Sequence, residues 1–216
     1  MEEKLKNLAL KLFDIGAIKF GSFKWKLHEK FPQAPLSPIY INLRILRSYP
    51  EIIGEVVRAF DELIKEKNLK FDLLSDIPYA STPIVSILMF KSGIPMITPR
   101  KEEKARGIPT KIEGVFKPGQ TVLLIDDVLS FADSKLEVSH LYQEQGLVLK
   151  DILVLVAYDL GGKERLKKEN LQIHSVYEIN DFLSIYLKAS KISEEKSKEI
   201  LATLANIKNY LQKIGI

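Results

Sequence analysis

Residues 122–134 combine a pair of acidic side chains with a short polar loop, an arrangement that suits a phosphorylated sugar. Residues 122–125 are apolar, Asp126 and Asp127 follow, and the segment from Ser130 opens a stretch of helical character. Carboxylates accept hydrogen bonds from sugar hydroxyls, and backbone N–H groups at a helix start bind phosphate. The pattern indicates a sugar-phosphate site at the end of a strand.

The loop after the acid pair lacks the glycine that a phosphate-binding loop usually has. Its residues are Ser130, Phe131, Ala132, Asp133 and Ser134. The Cβ of Ala132 narrows the backbone choices, and a carboxylate repels a phosphate by about 1 kcal/mol per charge pair at 4 Å in water. Because a carboxylate is also a good helix cap, we expect the Asp133 side chain to accept hydrogen bonds from the backbone N–H groups that would otherwise bind the phosphate.

The composition is that of an ordinary folded protein. The chain has 216 residues, enough for one domain with a small appendage but not for a second catalytic domain. It has no cysteine, which excludes disulfides and thiolate metal sites, and its three histidines are scattered, so we expect no protein metal site. The net charge of +4 is spread along the chain, and nucleic acid is not an expected partner.

The amino-terminal segment does not have the pattern of a secretion signal. Acidic residues precede an amphipathic stretch, without a basic segment and a long apolar core. No apolar run reaches the length of about 18 residues that a membrane span needs. We expect a cytoplasmic protein that does not contact membranes.

Continuous apolar runs alternate with helical patterns along most of the chain. Such runs are typical of a parallel sheet that helices cover on both faces. Ligands bind beyond the carboxyl ends of the strands in these sheets, so the positions of interest follow Leu74, Ile97, Ile125 and Ala157. The polar segment 100–114 has no face that could be buried, and we expect a mobile loop there.

Both ends of the chain carry further elements. We expect a domain over residues 1–190, with a small hood from about residue 1 to 45, and a helix over residues 191–216. Apolar residues recur at helical spacing in this last helix, at Ile200, Leu204, Ile207, Leu211 and Ile214. The preferred interpretation is packing on its own domain; the alternative is a contact between two copies.

Six motifs follow one another along most of the chain. They read FGSFKWK, SPIYINLR, IPYASTP, PRKEEKARG, KPGQTVLLIDDVLS and GLVLKDILVLVAYDLGGKERL. In this set and order the chain resembles the orotate phosphoribosyltransferase family, over roughly residues 8–185. The resemblance implies the α/β fold of type I phosphoribosyltransferases and a homodimer. It also implies transfer of ribose 5-phosphate from phosphoribosyl pyrophosphate (PRPP) to orotate, with Mg²⁺ bound together with PRPP.

The resemblance also implies which residues are catalytic. Asp126 and Asp127 stand where the family's acid pair holds the ribose 2′- and 3′-hydroxyls, and Lys104 stands in a cationic loop that closes over pyrophosphate. In the family this loop commonly comes from the neighbouring subunit. Its other cations here are Arg100, Lys101 and Arg106.

The remaining implied positions bind substrate. Loop 130–134, from Ser130 to Ser134, stands where the family holds the 5′-phosphate. The resemblance places further substrate contacts at Lys26, Tyr40, Ile41, Tyr79 and Tyr158.

Two departures from the family keep a second interpretation open. The loop lacks glycine, and Tyr158 replaces an arginine that anchors the orotate carboxylate; a phenol cannot make that charged, two-pronged contact. Both changes favour a non-catalytic homologue that acts as a nucleotide sensor or partner subunit. The retained acids and loop cations favour an enzyme.

Overall fold

The computed structural model describes residues 2–100, 110–158 and 160–215, and of Lys26 only the backbone. The chain forms two compact units. The first unit comprises the residues up to Asn42 and those from Glu178 onward, and the second unit is Leu43–Tyr177. The division into residues 1–190 and 191–216 made from the sequence stays a prediction.

Helices and strands alternate along the described residues, as the apolar pattern predicts. The helices are α1 Glu2–Asp14, α2 Pro50–Glu66, α3 Thr82–Ser92, α4 Asp133–Glu144, α5 Gly162–Lys168, α6 Ile179–Lys188 and α7 Glu194–Lys213. The strands are β1 Ile18–Phe23, β2 Ser37–Ile41, β3 Leu73–Asp76, β4 Met96–Pro99, β5 Ile112–Glu113, β6 Thr121–Leu129, β7 Val148–Ala157 and β8 Gln172–Glu178. Short 3₁₀ helices lie at Lys26–Glu29 and Leu43–Ser48.

The sheet of the second unit has the strand order β5-β4-β3-β6-β7-β8. Strand β3 pairs in parallel with β4 and with β6, and β6 pairs in parallel with β7. Residues 122–125 of β6 and 152–157 of β7 are buried, which explains why these strands read as continuous apolar runs. The predicted α/β class is confirmed, and the carboxyl ends of β3, β4 and β6 lie at one edge.

One part of the polar segment 100–114 is ordered, contrary to the expectation of a mobile loop. Residues 101–109 lie outside the described residues, but Ile112 is buried and β5 pairs antiparallel with the end of β4. Gly114 has a φ of +102°, and a Cβ there would lie 2.9 Å from the Met96 carbonyl oxygen. The prediction of a mobile loop is wrong for residues 110–114. Burial of Ile112 and the tight turn at Gly114 are enough to add β5 to the edge of the sheet.

Strand β6 runs through the acid pair instead of ending before it. Its pairing with β7 continues to Leu129 opposite Ala157. Asp126 and Asp127 are therefore strand residues, held by the sheet. Only loop 130–132 then separates the strand from α4.

The first unit is built around a two-stranded antiparallel sheet and three helices, α1, α6 and α7. Strands β1 and β2 pair from Ile18 opposite Ile41 to Phe23 opposite Ser37. The Tyr186 hydroxyl donates to the Ala9 carbonyl at 3.0 Å and thereby joins α6 to α1. Helix α6 was not predicted from the sequence.

Helix α7 buries its apolar stripe within the first unit. Ile200, Leu204, Ile207 and Leu211 are buried, and the helix packs on β2 and α6. The structure supports the interpretation that the helix packs on its own domain. Across the described residues, no helix is both long and apolar enough to cross a membrane.

We expect Ile207→Ala to lower the free energy of unfolding by about 2–5 kcal/mol, because it empties a fully buried position. Leu201 lies on the same helix but is 41% exposed, so Leu201→Ala is the matched control, with a change within about 0.5 kcal/mol. Urea unfolding of both variants gives the comparison. Equal, small losses would contradict the packing of α7 described here.

Candidate active site

Asp126 is a buried carboxylate whose two oxygens both have partners within the chain. Its Oδ1 accepts the backbone N–H of Asp127 at 2.9 Å. Its Oδ2 pairs with the Nζ of Lys135, which is itself 2% exposed and also donates to the Val128 carbonyl at 2.7 Å. A buried charge pair persists only with such complete hydrogen bonding. Asp126 therefore joins the end of β6 to the first turn of α4.

Lys135 was missed from the sequence, although the spacing of α4 contains a signal. The buried residues of this helix are Lys135, Val138 and Tyr142, at intervals of three and four. A lysine on the apolar stripe of a helix must find a buried acceptor. Asp126, nine residues earlier in β6, is this acceptor.

Asp127 is half-buried, and its environment disfavours its charged form. Burial raises the pKa of Asp127 to about 7, and the negative charge of Asp126 acts in the same direction. The charge of Lys135 and the N–H of Val128 lower this pKa. Near neutral pH the carboxyl therefore exchanges between its protonated and charged forms, and a ligand that donates hydrogen bonds favours the charged one.

The structure brings Tyr158 together with the loop and the acid pair. Its side chain forms a hydrogen bond with that of Ser130. Burial raises the pKa of the phenol, the hydrogen bond opposes this, and the nearby charge of Asp127 raises it further. Tyr158 therefore presents a neutral phenol beside Asp127.

Loop 130–132 lies against Tyr158 and residues 160–165, which we call the backing segment. The Leu129 carbonyl accepts from the Tyr158 N–H at 3.1 Å, and the Ser130 carbonyl accepts from the N–H groups of Leu160 and Gly162 at 3.2 and 3.1 Å. A Cβ at Gly162 would lie 2.5 Å from the Ser130 carbonyl oxygen. Gly162 thus permits the close approach, and Gly161 is the cap residue of α5.

Ala132 takes the backbone conformation for which glycine is suited. Its φ is +71° and it is the cap residue of α4. A residue with a Cβ pays about 1–2 kcal/mol in this left-handed region. The loop therefore keeps the backbone path of a glycine-containing loop at some cost in stability.

Asp133 does not cap the amides of the loop, so the expectation based on its capping tendency is wrong. The cap residue of α4 is Ala132, and Asp133 is the first residue of the helix itself. The Asp133 carboxylate instead accepts from Arg165 Nη1 at 2.6 Å, and the same nitrogen donates to the Phe131 carbonyl at 2.7 Å. The arginine, a stronger partner than an amide, decides where the carboxylate lies.

A second polar cluster at this edge was also missed from the sequence. Asp76 ends β3 with no exposed surface, and its carboxylate accepts from the hydroxyls of Thr98, at 2.5 Å, and Thr82. The Ser81 hydroxyl bonds both the N–H and the carbonyl of Ile77, at 3.0 and 2.9 Å. These bonds fix the loop between β3 and α3 beside the acid pair.

Two other predicted substrate contacts lie in the second unit. Tyr79 is 70% exposed, and its backbone carbonyl accepts a hydrogen bond from the Arg47 side chain. Arg100 pairs with Glu113 of β5, and its N–H donates to the Lys111 carbonyl at 2.9 Å. Arg100 thus anchors the start of the predicted cationic loop to β5.

The remaining predicted positions are placed elsewhere. Lys26, Tyr40 and Ile41 belong to the first unit, where the Tyr40 ring lies 5.5 Å from that of Phe23. Lys101, Lys104 and Arg106 lie outside the described residues. The roles of all these residues stay predictions.

Curated relatives of the chain are enzymes of pyrimidine nucleotide synthesis by name. The chain is 34% identical to the bifunctional enzyme PyrF/PyrE of Nostoc sp. over 90% of its own length and 39% of the relative. It is 33% identical to the uridine 5′-monophosphate synthase of Bos taurus, over 96% of the chain and 41% of that protein. The chain thus spans about two fifths of these two relatives. No family model matches the chain.

Solved structures share the fold. The UMP synthase of Leishmania donovani matches with a TM-score of 0.81 and 33% identity, over 93% of this chain and 42% of that one. The orotate phosphoribosyltransferase of Aeropyrum pernix matches with a TM-score of 0.69 and 20% identity, over 82% and 97% of the two chains.

A relative of similar length decides the family. The orotate phosphoribosyltransferase of Caenorhabditis elegans is 31% identical over 194 residues, which are 90% of this chain and 83% of that protein. The match covers the acid pair, the loop and the backing segment. The chain therefore belongs to the orotate phosphoribosyltransferase family, as the order of its motifs predicts.

Proposed function

We propose that the protein is an orotate phosphoribosyltransferase, which transfers ribose 5-phosphate from PRPP to orotate and releases pyrophosphate. The observation that carries the proposal is the placement of Asp127 near the carboxyl end of β6, two residues before the strand ends and loop 130–132 leads into α4, in a chain of this family. This placement offers a carboxylate to a ribose and backbone donors to its phosphate.

The reaction explains the need for these groups. The bond from C1 of ribose to pyrophosphate breaks with its electron pair on pyrophosphate, and a bond from C1 to a ring nitrogen of orotate forms as that nitrogen loses its proton. The ribose carries partial positive charge in between, so the enzyme must hold the sugar and neutralise the leaving group. Charged Asp127 accepts from the ribose hydroxyls, and Asp126, fixed by Lys135, supports it.

Magnesium fits this proposal as part of the substrate. Among the described residues, no three histidine or acidic side chains are grouped so that they could hold a metal ion. Mg²⁺ is commonly bound through phosphate oxygens and water, with few protein ligands. The ion would enter on the pyrophosphate of PRPP and offset its charge.

The cationic loop completes the site in the proposal. Lys104, with Lys101, Arg106 and Arg100, would bind pyrophosphate from a second copy of the chain in a homodimer. The pairing of Arg100 with Glu113 supports this arrangement, because it fixes one end of the loop to the sheet edge.

We expect the wild-type protein to turn over orotate with PRPP and Mg²⁺, and Asp127→Asn to lower kcat/KM by 10²-fold or more, about 3 kcal/mol. The amide keeps the shape but accepts fewer hydrogen bonds. Loss of orotate absorbance measures the rate, and the exposed-face variant Asp61→Asn is the control. No turnover, together with no PRPP binding in titration calorimetry, would replace this proposal with the non-catalytic homologue.

Co-expression of two inactive variants tests the homodimer. If Lys104 acts across subunits, a mixed dimer of Lys104→Ala and Asp127→Asn chains contains one intact site. We expect the statistical mixture to regain about a quarter of wild-type activity, since half of its symmetric dimers become mixed. Each variant expressed alone is the control. An inactive mixture, with mixed dimers confirmed by two affinity tags, would contradict a shared site.

A further inference from the structure

The carbonyl groups of Leu129, Ser130 and Phe131 all face the backing segment. Those of Leu129 and Ser130 accept from backbone N–H groups of the backing segment, and that of Phe131 accepts from Arg165. In a trans peptide unit the C=O and N–H groups are coplanar and point in opposite directions. The N–H groups of residues 130, 131 and 132 therefore point away from the backing segment.

Successive N–H groups that face one way form a binding concavity for an anion. Glycine commonly provides the backbone freedom for such a turn. Here Ala132 makes the turn, at φ +71°, without glycine. Hydrogen bonds from the backing segment hold this turn in place, and one of them is the bond from the Arg165 side chain to the Phe131 carbonyl.

Arg165 also binds the acidic group that would oppose an anion at this loop. The Asp133 carboxylate lies on the Arg165 side, 2.6 Å from Nη1, and both side chains are partly exposed. An exposed ion pair contributes little to folding stability. An unpaired Asp133 carboxylate, in contrast, repels a bound phosphate, which carries up to two negative charges. The larger effect of Arg165 is thus on anion binding.

We propose that Arg165 is a positioning residue for the 5′-phosphate of PRPP. It holds the Phe131 carbonyl and the Asp133 carboxylate on the side of the loop away from the phosphate, and it neutralises Asp133. This inference rests on the proposed function, since PRPP brings the phosphate. It explains how a loop with Phe131, Ala132 and Asp133 serves the same purpose as one with glycine.

Kinetics of Arg165→Met test the inference. We expect the KM for PRPP to rise about tenfold or more while kcat at saturation stays within about threefold, because the 5′-phosphate is remote from the reacting C1. Lys167→Met removes a cation from the exposed part of the same helix and is the matched control. Equal melting temperatures establish that the variants fold.

The double variant separates charge from general structure. In the Arg165→Met background, Asp133→Asn should recover at least threefold in KM, because the released carboxylate is what repels phosphate. A purely structural role of Arg165 predicts no recovery. An unchanged KM in Arg165→Met, or no recovery in the double variant, would overturn the inference. Absence of turnover and PRPP binding in the unmodified chain would instead overturn the proposed function.

Discussion

The buried ion pair between Lys135 and Asp126 links the central strand β6 to the first turn of α4. Loop 130–132 spans only the short gap between these two elements, so fixing both its ends leaves it little freedom. The same pair places a positive and a negative charge beside Asp127 and so determines how readily this carboxyl ionises. Removing either partner leaves a buried charge without compensation, so the structure at the carboxyl end of β6 depends on this ion pair.

Charge compensation is the common feature of this loop region. Two of its acids have a basic partner: Lys135 pairs with Asp126, and Arg165 pairs with Asp133. Asp127 has no basic side chain within ion-pair distance among the described residues, and it is the acid whose charge a ligand can stabilise. The chain thus combines an acidic sugar site with a nearby anion site, two requirements that oppose each other electrostatically.

The order of strands and helices could be predicted because continuous apolar runs and helical spacing are local signals. The acid pair and the loop were found for the same reason. Strand β5, Lys135, and the Asp133–Arg165 pair were not, since each depends on a partner distant in sequence or on a single buried side chain. Asp133 shows the limit most clearly: its local capping tendency is real, but a guanidinium 32 residues later binds it more strongly.

The pKa of Asp127 tests the central claim most directly, because burial and the charges of Asp126 and Lys135 all determine it. Carbon-13 NMR of the aspartate carboxyl groups, assigned by comparison with Asp127→Asn, follows the titration in the ligand-free protein. The account predicts a midpoint near pH 7. A midpoint near the ordinary value of 3.8 would contradict the buried charge cluster at the end of β6.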